Sequence, residues 1–205
     1  MQRSFLAAAA VALMLGAAAP ALAQLPPGVF AGEQDYRLAP AGAYALDPAH
    51  TAVLAKVPHI GYSLSVFRFD KVDGVLGWDP ADPSKSTLKV TVDVASIDTP
   101  VPNFAKELSG DGFLKTAAFP QASFIATAFH QIDARHGRVD GDFTLMGKTR
   151  PMTFAVELVG AGKGFMGHPR LGIEAKGQIN PRDFGMNPMF SAPIELVIDA
   201  EFAHT

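Results

Sequence analysis

Residues Leu88 to Val94 alternate strictly, with apolar Leu88, Val90, Val92 and Val94 set against polar Lys89, Thr91 and Asp93. A period of two sends successive side chains to opposite faces, so this stretch reads as a strand with one buried and one wet face. The pattern recurs in residues 122–130, 139–145, 152–158, 171–179 and 194–202. Between the runs lie Asp79-Pro80, Asp82-Pro83, His136-Gly137, Gly147-Lys148 and the glycine cluster from Gly160 to Gly167, all turn formers. Shorter strand candidates run from Tyr44 to Asp47, Thr51 to Val57 and Lys71 to Trp78. Many short strands with regular turns predict an all-β fold, either a sandwich or an antiparallel β-barrel of about eight strands. Only residues 103–118 approximate a helical face, through Phe104, Leu108, Phe113 and Leu114. Gly110 and Gly112 reduce it to one or two short helical turns that cross from strand to strand and cap a barrel end.

The chain opens with Arg3, an apolar run from Phe5 to Ala19, and small residues at Ala21 and Ala23. This is the pattern of a cleavable signal peptide over residues 1–23. The run is short of the roughly twenty residues that span a bilayer, so no integral membrane segment is expected after cleavage. Residues 24–43 are rich in Pro, Ala and Gly and read as a tether or loosely packed arm, and residues 44–205 as one domain. Such a signal predicts a periplasmic protein. With no cysteine in the chain, disulfides, thiolate metal sites and a cysteine nucleophile are excluded. A formal charge of −3 offers no basic field for nucleic acid.

Chemistry leaves little trace. The six histidines, His50, His59, His130, His136, His168 and His204, form no short metal-binding pair, and no metal site is expected. His50 and His59 are placed to face one another across a strand pair. Asp70, Asp73, Asp79 and Asp82 fall at expected turns, where aspartate caps its own backbone. There is no nucleophile elbow, phosphate loop or dinucleotide fingerprint, so no catalytic residue and no cofactor are assigned.

One segment carries more specific information. Val139 to Pro151, VDGDFTLMGKTRP, resembles the signature hairpin of the YceI-like polyisoprenoid-binding family. Four further segments match in order: Asp47 to His59, with Ala55 where a phenylalanine is usual; Trp78 to Thr99; Phe119 to Phe124; and Ile179 to Gly185. The chain departs from the family at Phe104 to Leu108, where members carry an Arg-Asp-x-His-Leu stretch, and at Pro181.

The resemblance implies an extended, lipocalin-like eight-stranded barrel enclosing a polyprenyl lipid or a quinone tail, in proteins that are often homodimeric. Fifteen Phe and seven Met supply large apolar side chains for such a lining or for an ordinary core. The candidate lining residues are Val57, Phe69, Phe113, Phe124, Phe143, Phe154, Phe184 and Met186, and a strand-phase slip of one residue would turn several outward. Arg182 and Asp183 are candidates to orient a head group or to pair structurally. Three functions fit: a carrier or store for isoprenoid lipid, a stress-related interaction protein of the envelope with a packed barrel, or an enzyme on such a lipid using His50 or His59.

Overall fold

The computed structural model describes residues 26–205, so the expected signal peptide lies outside the described residues. The strands are β1 (Gly42–Leu46), β2 (Ala52–His59), β3 (Ser63–Phe69), β4 (Val72–Trp78), β5 (Thr87–Asp93), β6 (Ile97–Asp98), β7 (Gln121–Gln131), β8 (His136–Leu145), β9 (Lys148–Gly162), β10 (Arg170–Ile179) and β11 (Ile194–His204). Two short helices interrupt them, α1 (Phe104–Ser109) and α2 (Pro181–Phe184). Among the described residues no helix is long and apolar enough to cross a membrane.

The order β1-β4-β5-β7-β8-β9-β10-β11 closes on itself, because β1 also pairs with β11, with Tyr44 opposite His204 and Leu46 opposite Phe202. The result is a closed, antiparallel, eight-stranded barrel, as the alternation and the resemblance together predict. β11 continues past β1 to pair with β2, β2 pairs with β3, and β3 with β6. Thus β1/β2, β4/β3 and β5/β6 are three long strands, each interrupted by a short break. Two of the breaks are tight turns capped by an aspartate: Asp47 Oδ1 accepts from Ala49 N–H, and Asp93 Oδ1 accepts from Ala95 N–H, each at 3.0 Å. Pro48 starts the first of these turns, where its missing N–H costs nothing.

β3 does not stand out in the sequence because its alternation is blurred by exposed Leu64 and Val66, leaving Phe67 as its buried apolar residue. The expected helical stretch over 103–118 contracts to α1 followed by irregular turns. Leu108 and Leu114 are buried there and fill the gap where the chain leaves the ladder between Asp98 and Gln121. The signature hairpin folds as β8 and β9 joined at Met146 and Gly147, both with positive φ of 51° and 71°. Two consecutive left-handed residues match the twist of the flanking strands, and Phe119 packs where a Gly147 Cβ would stand, 2.6 Å from its Cε1.

Two strands carry an extra residue. The β7 register slips at Thr127, between Ala126 and Ala128, and the β9 register slips at Val159. A bulge shifts the phase by one. After Thr127 it is Phe129 that turns inward, facing the interior from the position opposite Val139.

The stretch expected as a tether or loose arm is docked. Glu33 and Ala161 exchange two backbone hydrogen bonds at 2.9 Å, and Tyr36 N–H donates to Ala134 O at 3.2 Å. Close approach is possible because both backbones are glycine: a Cβ on Gly32 would lie 3.0 Å from the Cα of Gly160. Ala39 is fully buried, and the Tyr44 hydroxyl donates to Pro40 O at 2.8 Å. These contacts fasten residues 26–40 as a strap across one end of the barrel.

Candidate functional site

The interior has two halves. At the end away from the strap, Phe67 meets Phe104, Phe113 meets Phe190 and Phe143 meets Phe184, with centroids 6.0, 5.9 and 5.5 Å apart in edge-to-face contact. Val57, Leu108, Leu145, Ile179, Phe184 and Ile194 complete a packed core there. Toward the strap the barrel is hollow, with an apolar cavity of about 210 Å³. Its walls are mostly aliphatic: Leu46, Val53, Val72 and Leu76 from β1, β2 and β4, Leu88, Val90 and Val92 from β5, and Leu171, Ile173, Ile198 and Ala200 from β10 and β11. On β11 the lining runs from Leu196 to Phe202, six residue steps or roughly 20 Å at strand spacing.

The floor of the hollow is aromatic. Phe124 and Phe154 stand edge to face at 5.1 Å beside Phe143. Glycines seat these rings: a Cβ on Gly141 would be 2.4 Å from Phe124 Cζ, and one on Gly177 would be 2.9 Å from the ring of Phe154. The mouth is formed by Tyr36 of the strap, Trp78, Pro83 and, from the β7–β8 hairpin, His130, Gln131 and residues 133–138. Tyr36 meets Trp78 edge to face at 5.9 Å. Arg135 pairs with Glu157, His136 with Asp133 at 2.9 Å, and Arg138 and His130 with Asp140 at 3.4 and 2.7 Å. The backbone N–H of Arg135, together with His136, holds the Asp133 carboxyl down at about 2.

The sequence candidates divide between these halves. Phe124, Phe143 and Phe154 line the cavity as its floor. Val57, Phe113, Phe184 and Met186 lie in or against the packed end, and Phe69 is half-buried where the two halves meet. Arg182 and Asp183 are exposed on α2, beyond Ile179 and therefore at the end opposite the mouth. The walls from Leu88 to Val92 carry the clearest alternation in the chain, but they are not among the aromatic candidates. A hollow needs side chains too short to meet across it, so Val, Leu and Ile mark it better than Phe. Tyr36, Trp78 and Arg135 lie outside the candidate set, since no local pattern announces a mouth assembled from a strap, a strand end and a hairpin.

The placement of His50 and His59 across a strand pair is corrected. Both sit on the same broken strand, His50 in the turn before β2 and His59 at its end. Neither lines the cavity. His50 Nδ1 lies 3.0 Å from Asp47 Oδ2. Asp47, His50 and Glu201 cluster closely enough to hold a cation, and Arg170 Nη1 supplies one, 2.7 Å from Asp47 and 2.6 Å from Glu201. Arg170, and secondarily His50, lower the Asp47 carboxyl to about 2.

Comparison with known proteins agrees with this architecture. A sequence model of the YceI-like domain matches residues 44–202. Protein YceI of Escherichia coli O157:H7 is 34% identical over 155 residues, which cover 74% of this chain and 81% of that one. The crystal structure of the Campylobacter jejuni YCEI protein superposes with a TM-score of 0.66 at 26% identity, over 73% of this chain and 91% of the other. A polyisoprenoid binding domain from Saccharophagus degradans shares the fold at 15% identity, with a TM-score of 0.55 over 79% and 98% of the two chains.

Proposed function

The chain belongs to the YceI-like family, and from that premise we propose that it binds a long-chain isoprenoid lipid, either a polyprenyl lipid or a quinone tail, and carries or stores it in the periplasm. The observation that carries this reading is the hollow half of the barrel, an apolar cavity about 210 Å³ in volume with aliphatic walls and an aromatic floor. A prenyl chain is flexible and apolar, so a tube of aliphatic walls suits it without hydrogen bonds. Burying about a dozen carbons yields on the order of 10 kcal/mol at ~0.8 kcal/mol per methylene, before several kcal/mol of ordering cost. The related domain from Saccharophagus degradans is described as polyisoprenoid binding, which supports the same ligand class here. We read the protein as a binder without catalysis, since the cavity walls offer aliphatic groups and His50 and His59 lie outside it.

Purification without detergent, followed by native mass spectrometry and organic extraction, tests the reading. A bound mass with a prenyl fragmentation series is expected. A barrel that is repeatedly empty and takes up no long prenyl chain would sink it. Export is checked separately by N-terminal sequencing of protein from a periplasmic fraction, with Gln24 expected first. The homodimer is checked by sedimentation, where a monomer at every concentration refutes it.

A further inference from the structure

Outside the cavity, large apolar side chains gather at one place on the surface. Phe30 of the strap and Phe165 and Met166 of the β9–β10 turn are 46, 60 and 65% exposed. They are neighbours: Val29 bridges Phe165, Met166 N–H donates to Gly28 O at 2.7 Å, and a Cβ on Gly28 would stand 3.1 Å from Met166 Sδ. None of the three lines the cavity. The turn holds Met166 at φ 53°, between Gly164 at 63° and Gly167 at 81°. A left-handed backbone is costly for a residue other than glycine, and here it is kept at a position that leaves the side chain in solvent. Apolar side chains gathered at one spot, unlike scattered ones, mark a contact surface. The strap leads from this turn to the mouth, since its further backbone contacts are Glu33 with Ala161 and Tyr36 with Ala134, and Tyr36 lines the cavity. Ile132, 70% exposed between mouth residues Gln131 and Asp133, adds an apolar side chain on the hairpin that Tyr36 contacts.

The size and charge of the patch select its partner. A large aromatic side chain presents about 150–250 Å², so the three residues together expose on the order of 300 Å², short of the ~800 Å² per partner that a stable protein interface buries. A bilayer needs no such area, because a few aromatic and aliphatic tips reach the acyl boundary while the rest of the protein stays in water. Lys163 Nζ stands 5.5 Å from the centroid of the Phe30 ring and, among the described residues, pairs with no carboxylate. A ring with a free ammonium over it matches the level where acyl chains meet phosphates. Arg37, Arg135 and His136 are already paired with Asp35, Glu157 and Asp133, and Glu33 on the strap partly offsets Lys163. Apolar insertion therefore leads, and anionic lipid adds little. Resting on the lipid-binding reading above, we propose that Phe30, Phe165 and Met166, with Lys163, dock the mouth end of the barrel onto a phospholipid bilayer, so that an insoluble ligand enters the cavity from the membrane without crossing water.

The test uses protein purified without detergent and vesicles of phosphatidylethanolamine and phosphatidylglycerol loaded with a long-chain prenylated benzoquinone. The protein should co-sediment with the vesicles. Phe165→Trp should be quenched by lipids brominated on the acyl chain, beyond any quenching of Trp78, the single tryptophan of the chain. Phe165→Ser combined with Met166→Asn, an exchange that the left-handed backbone accepts, should weaken vesicle binding roughly tenfold or more and slow uptake of the quinone from vesicles. The same variant should keep its melting temperature and still take up a short-chain, water-soluble prenyl probe without vesicles, since neither residue lines the cavity. Lys163→Gln should weaken binding only about two- to fivefold, and only on vesicles that contain phosphatidylglycerol. Uptake of the soluble probe with no vesicle binding would overturn the docking face and leave the lipid reading intact. Vesicle binding that the double variant retains, with Phe165→Trp unquenched, would overturn this face as the contact. Loss of self-association in the double variant, with vesicle binding unchanged, would overturn the bilayer in favour of a second copy of the chain. Docking without uptake of either prenyl probe would overturn the loading role together with the lipid reading it rests on.

Discussion

Strands β7 to β11 run through both halves of the barrel, yet the half away from the strap is filled and the half beneath it is hollow. On β10, Leu171, Ile173 and Ala175 face the hollow, while two residues further on Gly177 makes room for the ring of Phe154. On β8, Val139 faces the hollow, Gly141 seats Phe124, and Phe143 reaches toward Phe184. Periodicity decides which face is inside. Side-chain reach, and the glycines that let rings cross the axis, decide whether the inside is solid.

The sharpest way to break this contrast is truncation in each half. Phe184→Ala, at a residue 3% exposed in the packed end, should cost about 3–5 kcal/mol in urea denaturation. Ile173→Ala, on a wall with the cavity on its inner side, should cost closer to 2 kcal/mol. Equal losses would mean that the hollow is filled as tightly as the far end.

Enlargement should keep the same ranking, with the larger insertion as the cheaper one. Gly177→Ala adds one carbon 2.5 Å from Met152 Cε and should cost about 1–3 kcal/mol. Ala200→Phe adds a whole ring but directs it into the cavity, so stability should change by less than about 1 kcal/mol while prenyl uptake is lost. A folded Ala200→Phe variant that still takes up a prenyl chain would place the ligand elsewhere.

The strap distinguishes the two ends kinetically. Gly32→Ala puts a Cβ 3.0 Å from the Cα of Gly160 and should lift residues 26–40. Loss of stability by about 1 kcal/mol or less is expected, because few contacts are broken. Prenyl exchange, followed by stopped flow, should speed up severalfold. An unchanged exchange rate would show that the strap does not guard the mouth.

The smallest effect concerns acid. Asp47 fastens the break between β1 and β2, with its carboxyl lowered from 3.8 to about 2 by Arg170 and His50. A lowered folded value means that the contribution is complete above the ordinary carboxylate range and is lost as pH falls from about 4 toward 2. Partial exposure limits it to the order of 1 kcal/mol. Asp47→Asn should therefore lower stability at neutral pH slightly and flatten the acid limb of the curve. An unaltered limb would detach Asp47 from acid unfolding.

Much of the barrel was legible because strand alternation and Asp, Pro and Gly turns are local signals, and the β8–β9 hairpin is specific in sequence. The broken strands were less so. β3 hid behind exposed Leu64 and Val66, and the bulge at Thr127 reversed the phase that simple alternation assigns to Phe129. The site was legible only in part, since Phe124, Phe143 and Phe154 reach the cavity floor while other candidates fill the far end. Size was the misleading cue, for bulky residues mark where space is taken up. The mouth was beyond local reading because Tyr36, Trp78 and Arg135 are brought together by tertiary structure alone.

The uninterrupted strands have a volumetric consequence. Their ladders cannot close on the empty tube without tearing pairs in the packed half, so the unoccupied barrel keeps its void as part of the native volume. Unfolding releases that void, and hydrostatic pressure favours the smaller system. The empty protein is therefore the pressure-sensitive form, and a bound chain, by occupying the tube, should make it stiffer to compression and harder to unfold by squeezing.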